Sequence, residues 1–243
     1  MQGMQTRQHR YSALTRTIGA AALCAAVVAG CSSGGSGGGG SKASLPDAAT
    51  LLQQSAQTTK GLQSAHVEIT VDGKIEGLPV KKLSGDLTNV PATAASAKAT
   101  ITMGGSDLDA DIVVTESTLF AALSPNNWLD MGPAADIYDP STILHPDSGL
   151  ANVLGNFSGP KSEATEKING IETVKVTGQV SAEAANRILP QLKVTGPIPG
   201  TAWIQPDGDH NLVQARLQPS DGAAVQMTLS DWNKPVTVTK PQI

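Results

Sequence analysis

Apolar and polar residues alternate with a period of two over most of the chain beyond residue 64. In 65–71 the odd positions are apolar and the even positions polar, and the same alternation recurs in 97–103 and 108–114. Shorter alternating stretches lie at 174–176, 212–217, 225–229 and 236–238. This period is typical of strands with one buried face. We therefore predict about nine to eleven strands with hairpin-length connections, which form an antiparallel sheet with one solvated face.

Helical signals interrupt the strands at three places. Asp47 suits a cap or first-turn position of a first helix that reaches Gly61, and Ser181 suits the cap of a late one. Between them, prolines at 140 and 146 divide the middle of the chain into short predicted helices at 134–139, 141–144 and 150–157. The predicted fold class is α+β, a large curved antiparallel sheet with a few helices laid across one face.

The chain begins with a basic stretch followed by an apolar run over 18–28. The run is shorter than the roughly 20 residues of a spanning helix, and its order of basic, apolar and small residues is typical of an export signal. Val28-Ala29-Gly30-Cys31 resembles the lipobox of bacterial lipoproteins. That resemblance implies cleavage between Gly30 and Cys31 and acylation of the Cys31 thiol. We predict a signal peptide over 1–30.

The segment that follows the lipobox is rich in glycine and serine. Such a linker is flexible, and 13 residues reach roughly 20 Å. We predict a tether over 31–44 and a single domain over 45–243. Two or three acyl chains on Cys31 together hold a protein on a bilayer, so the predicted membrane attachment is the lipid anchor.

Charge and aromatic content restrict the partners of the domain. Three of the 17 basic residues but none of the 21 acidic ones precede Cys31, so the mature charge is 14 − 21 = −7. Such a surface repels nucleic acid and anionic head groups. Only six aromatic residues follow the predicted cleavage point, too few for a surface that stacks bases or sugars. We predict no nucleic-acid partner.

No residue spacing indicates catalysis or metal binding. Asp107, Asp109 and Asp111 look like the start of a calcium loop, but the loop lacks the glycine and the glutamate that its later positions need. We interpret the three aspartates as a solvated edge strand. His66, His145 and His210 are far apart in sequence, and no Ser, His and acid grouping has a recognisable frame. We predict no enzyme, no metal site and no cofactor.

The apolar face of the predicted sheet leaves two alternatives open. Alanines at 65, 97, 99 and 110 leave space on that face, and the helices that would cover it are short and interrupted by prolines. Either the face belongs to an ordinary core, or it borders a cavity for an apolar ligand. A large cavity kept empty and dry would be very costly, so it would have to be filled, hydrated or collapsed.

Five segments of the chain resemble the LppX/LprA/LprF/LprG family of mycobacterial cell-envelope lipoproteins: KLSGDLT (82–88), GGSD (104–107), AADIYDP (134–140), PDSGLANVL (146–154) and TAWI (201–204). The resemblance runs from the lipobox to residues 240–241. It implies a half-barrel sheet whose concave face carries helices and encloses an apolar cavity. It also implies cargo of triacylglycerol and of the acyl tails of phosphatidylinositol mannosides, lipomannan and lipoarabinomannan.

The same resemblance implies a setting and partners. The protein would be anchored on the periplasmic side of the inner membrane, would work beside a multidrug-type membrane transporter, and would be sensed by host Toll-like receptor 2. The alternative hypothesis is a lipid-anchored structural or protein-binding module without lipid cargo, which predicts a solid core.

Twelve residues are predicted to line the cavity. Seven come from strands and five from the helical cover. They are Val67, Ile69, Ala99, Ile101, Met103, Ile112 and Val114, followed by Ile137, Leu150, Val153, Leu154 and Phe157. Ala99 is the small residue at which a tryptophan is expected to block loading.

Overall fold

The computed structural model describes residues 44–243. Cys31, the predicted cleavage site and nearly all of the predicted tether lie outside the described residues. Within the described residues the elements are α1 (Ala48–Lys60), β1 (Ser64–Asp72), β2 (Val80–Thr88), β3 (Ala94–Met103), β4 (Ser106–Thr115), β5 (Thr118–Ala122), β6 (Trp128–Pro133), α2 (Ser141–Leu144), α3 (Leu150–Gly155), β7 (Phe157–Ile168), β8 (Ile171–Val180), α4 (Ala182–Ile188), β9 (Ile198–Ile204), β10 (Leu212–Ser220) and β11 (Ala223–Ser230). Single 3₁₀ turns cover Ala134–Asp136 and Pro190–Leu192.

All eleven strands belong to one sheet in the order β6-β5-β4-β3-β2-β1-β11-β10-β9-β8-β7. Every neighbouring pair is antiparallel, and the first strand pairs with the last along 66–72 and 224–230. The predicted large antiparallel sheet with few helices is confirmed. These residues form a compact unit of their own.

The helix caps form as the sequence predicts. The Asp47 carboxylate accepts a hydrogen bond from the Thr50 amide at 2.8 Å, and Ser181 caps α4 through the Ala184 amide. The hydrogen bond from Thr50 lowers the pKa of Asp47. These caps satisfy amides that have no partner within the helix.

Two predicted elements differ from the structure. The predicted helix at 134–139 is only one 3₁₀ turn, Ala134–Asp136, and it cannot run on to Asp139 because the residue before a proline disfavours helical backbone. The predicted helix at 150–157 ends at Gly155, and Phe157 instead begins β7.

Two strand assignments from the sequence are wrong. Residues 236–238 form no strand, since both sides of the preceding strand β11 are already paired with β1 and β10. The strand with the three aspartates is not an edge, because β4 lies between β3 and β5. Instead, Asp111 and Asp107 pair with Lys98 and Lys81, each at 2.7 Å, on the solvent-exposed face.

The helices pack on one face of the sheet, which we call the inner face. Register places Val67, Ala97 and Ile112 on this face in neighbouring strands, while Glu68 and Lys98 point to the opposite, outer face. We call β7–β10 the packed half and β1–β5 the cavity half. In the packed half, buried inner-face residues join the helices in one hydrophobic core.

Candidate functional site

A cavity of about 200 Å³ lies against the inner face of the cavity half. Strand β1 contributes Val67, Ile69 and Val71 to its wall, and β11 contributes Val225 and Met227. These two strands are neighbours only because the first and last strands pair. The wall therefore depends on the strand pairing with the largest separation in sequence within the described residues.

Small residues account for the open space. Strand β3 presents Ala95 and Ala97 to the cavity, and β2 presents Gly85 between Leu83 and Leu87. A Cβ atom on Gly85 would lie 2.4 Å from the Cβ of Ala97, so no side chain fits at this position. Strands β2 and β3 lie close together at this position, and their small side chains do not fill the cavity on the inner face.

The cover of the cavity comes from irregular chain between β6 and α3 and from the turn after α4. Ile137, Tyr138 and Ile143 lie over the cavity on one side, and Leu189 and Gln191 on the other. The Tyr138 hydroxyl donates to the carbonyl of Ile188 at 2.9 Å and joins the two parts of the cover. Burial raises the pKa of Tyr138, with the nearby Asp139 charge adding to the effect. The phenol thus stays a neutral donor.

The wall presents almost no charge to the cavity. Asp86 belongs to the wall, but its carboxylate accepts from His66 on the outer face at 2.7 Å. The remaining wall side chains are apolar apart from Tyr138 and Gln191. Burying an unpaired charge is far more costly than burying a methylene, so this interior suits hydrocarbon.

The structure brings five of the twelve predicted lining residues together in the cavity wall. They are Val67, Ile69, Ile112, Val114 and Ile137. Leu150 and Val153 lie around a void of about 10 Å³ whose walls share Leu189, Val225 and Met227 with the cavity. These two positions lie at the boundary between cavity and core.

The other predicted positions lie elsewhere. Leu154 and Phe157 border a surface groove between α1 and α3. Ala99 is buried on the inner face but beyond the cavity wall, and Ile101 and Met103 continue along the same strand. Met103 is 58% exposed next to the hairpin between β3 and β4. On β3 the wall ends at Ala97.

Two surface grooves are larger than the cavity, with volumes of about 510 and 670 Å³. The larger one lies on the outer face among Glu68, Lys82, Lys98, Asp109 and Asp111. Such side chains are well hydrated and cannot replace water around an acyl chain. The smaller cavity, whose wall is apolar, is therefore the candidate functional site.

Sequence reasoning did not anticipate one polar cluster on the outer face. His66 joins Asp86 at 2.7 Å through Nδ1 and Ser84 Oγ at 3.1 Å through Nε2. The order of hydrogen bonds, from Ser84 to His66 to Asp86, resembles that of a catalytic triad. Catalysis, however, also needs donors aimed at a developing oxyanion. Strand β2 is paired on both sides with β1 and β3, so its backbone amides serve the sheet. We assign the cluster to cross-strand hydrogen bonding.

Two further features concern metals and membranes. Within residues 44–243 no group of three or more His, Cys, Asp or Glu side chains is placed to hold a metal ion. Over the same range no helix has the length and apolar character needed to cross a bilayer.

Comparisons with known proteins agree with this architecture. The family model described as LppX_LprAFG lipoprotein matches residues 47–238. The lipoarabinomannan carrier protein LprG of Mycobacterium tuberculosis is 54% identical over 199 residues, which cover 82% of this chain and 84% of that protein. The protein of the same name from Mycolicibacterium hassiacum is 58% identical over 198 residues, covering 81% and 85% of the two chains.

Solved structures show the same fold. The crystal structure of LprF from Mycobacterium bovis matches with a TM-score of 0.74 and 33% identity, over 81% of this chain and 97% of that one. The crystal structure of the lipoprotein LppX from Mycobacterium tuberculosis matches with a TM-score of 0.62 and 27% identity, over 79% and 97%.

Proposed function

The chain belongs to the LppX_LprAFG lipoprotein family, and from this premise we propose that it is a membrane-anchored lipid carrier. The observation that carries the proposal is the partly open, almost charge-free cavity built from small and aliphatic side chains. Such a lining offsets the cost of removing an acyl chain from a bilayer. For about 16 methylenes at roughly 0.8 kcal/mol each, that cost is roughly 13 kcal/mol.

We propose that the cargo comprises triacylglycerol and triacylated glycolipids, namely phosphatidylinositol mannosides, lipomannan and lipoarabinomannan. The name of the relatives, lipoarabinomannan carrier protein, supports this class of cargo. In this proposal the acyl chains occupy the cavity and the sugar head group stays in water. Transport runs from the inner membrane toward the outer envelope.

Loading of several acyl chains requires a larger cavity than the structure contains. Ligand sites typically enclose about 300–1,000 Å³, against about 200 Å³ here. The cover over 134–144 consists of one 3₁₀ turn and one four-residue helix, and Ile137 within it is 50% exposed. We propose that this cover moves outward when cargo enters, because its elements are short and Ile137 is not packed into the core.

The anchoring and the protein partners remain proposals from the sequence. Acylated Cys31 would hold the carrier on the periplasmic side of the inner membrane, with the tether over 31–44 setting its reach. A multidrug-type transporter would work beside it, and Toll-like receptor 2 of a host would sense the acylated protein.

Native mass spectrometry of residues 44–243 tests the carrier proposal. We expect adducts of acyl-lipid mass that disappear on organic extraction and return after incubation with vesicles containing phosphatidylinositol mannoside or triacylglycerol. A mass without adducts that stays unchanged after both incubations would contradict the carrier function. It would favour a protein-binding module of the same fold.

A further inference from the structure

Gln191 is the one cavity-wall residue in the described range with an unsatisfied buried side-chain atom. It lies in the single turn Pro190–Leu192 after α4. Its side-chain oxygen Oε1 is shielded from solvent and finds no hydrogen-bond partner within residues 44–243. Its nitrogen Nε2 donates to the carbonyl of Ile137 at 3.4 Å.

The contact with Ile137 determines which atom of the Gln191 side-chain amide lacks a hydrogen-bond partner. A backbone carbonyl only accepts hydrogen bonds. Reversing the amide would exchange this long hydrogen bond for two oxygens 3.4 Å apart, which repel each other, so the nitrogen faces Ile137 in the favoured orientation and the oxygen is the unsatisfied atom. Oε1 also has almost no accessible surface, so it can accept a hydrogen bond from cargo only when the cover over 134–144, which Gln191 contacts through Ile137, has moved outward.

Gln191 lies where the cavity meets the surface. A Cβ atom on Gly77, in the exposed loop between β1 and β2, would be 4.0 Å from the Gln191 Cγ. Ile137 is half-exposed, and Lys193 beyond the turn is exposed. A lipid with its chains in the cavity would have its ester and head-group atoms beside Gln191, where the cavity meets the surface.

We propose that Gln191 determines cargo specificity by accepting a hydrogen bond from a hydroxyl next to the acyl chains of the bound lipid. This inference rests on the proposed carrier function. A buried acceptor is costly when unpaired, and a hydroxyl donor removes that cost. Sugars and inositol carry such hydroxyls, whereas triacylglycerol has three esters and no donor. The site therefore selects hydroxyl-bearing acylated lipids over triacylglycerol of the same chain length.

A pair of probes that differ by one donor tests this proposal. They are 1,2-dioleoylglycerol and its 3-O-methyl ether, offered together in phosphatidylcholine vesicles to residues 44–243. Native mass spectrometry gives the ratio of the two bound species. We expect the wild type to favour 1,2-dioleoylglycerol about fivefold, because one hydrogen bond contributes a net free energy of about 1 kcal/mol. In Gln191→Met the ratio is expected to fall to about one because the acceptor is gone.

Two further variants make the result specific. Gln179→Met replaces an exposed glutamine on β8 and is expected to keep the wild-type ratio. Gln191→Leu repeats the test with another apolar side chain if Gln191→Met does not fold, as judged by its thermal midpoint. A wild-type ratio near one, or a preference that survives in a folded Gln191 variant, would overturn the role of Gln191. Binding of neither probe, with the family glycolipids also failing to bind, would instead overturn the carrier function.

Discussion

In both halves of the sheet consecutive strands lie side by side and antiparallel, but the interiors differ. In the packed half, Val176, Val180 and Ile204 on the inner face are completely buried under helices. In the cavity half, the corresponding face of β2 and β3 carries Gly85 and Ala97 and borders open volume. One sheet thus contains a solid core and a cavity side by side.

The two halves differ both in the size of their inner-face side chains and in the elements that cover that face. Helices α1, α3 and α4 supply leucines and isoleucines to the packed half, whereas a 3₁₀ turn and a four-residue helix cover the cavity half. Close packing stabilises a core through many small contacts. A carrier needs one region without that packing, so it needs the other half to provide the stability.

Filling the cavity half should have the largest effect. Ala97→Trp places a bulky ring in the cavity wall, and we expect lipid loading to fall by more than about tenfold, or about 1.4 kcal/mol in affinity. Overpacking is expected to cost about 1–3 kcal/mol of stability, which a typical domain tolerates. Native mass spectrometry after incubation with lipid vesicles measures the loading.

Ser96→Trp is the matched control, because Ser96 is exposed on the outer face of the same strand. It should load lipid as the wild type does. Normal loading of a folded Ala97→Trp variant would show that acyl chains do not occupy this part of the inner face.

Truncating one isoleucine in each half measures how differently they contribute to stability. Ile204→Ala removes a completely buried side chain of the packed half, and we expect a loss of about 3–4 kcal/mol. Ile112→Ala trims the cavity wall, where the side chain is half-buried, and should cost about 1–2 kcal/mol. Urea unfolding gives both values, and equal losses would contradict the division into a packed and a cavity half.

Local patterns in the sequence were sufficient to predict much of the fold. The period of two identified the strands at 65–71 and 97–103, and the caps at Asp47 and Ser181 marked true helix starts. These signals depend on neighbouring residues only. The tail at 236–238 shows the limit, because an alternating pattern becomes a strand only where a free strand edge is available.

The composition of the cavity wall was less predictable because it depends on register between strands. Ala97 and Ala99 share one face of β3 and have the same local pattern, yet only Ala97 belongs to the wall. Val225 and Met227 enter it through the pairing of β11 with β1. Gln191 gave no signal at all, since a single polar residue in a turn is typical of surface chain.

The weakest expected effect concerns the outer face of the cavity half, where the C-terminal segment is attached. Lys240 donates to the Glu116 carboxylate at 2.8 Å, and its ammonium lies 5.7 Å from the ring centre of buried Phe120. The hydrogen bond from Lys240, with its charge, lowers the pKa of Glu116. A lowered folded-state pKa means that the contact stabilises the protein above the ordinary glutamate pKa and is lost as pH falls through the folded value.

Nuclear magnetic resonance titration of the Glu116 carboxyl group measures this contact. Lys240→Gln is expected to return the pKa of Glu116 toward its ordinary value, and 1 M salt should do so in part because the pair is exposed. Lys234→Gln, which removes a lysine paired with Asp231, should leave the pKa of Glu116 unchanged. If Lys240→Gln also left it unchanged, the C-terminal segment would not hold the outer face through this pair.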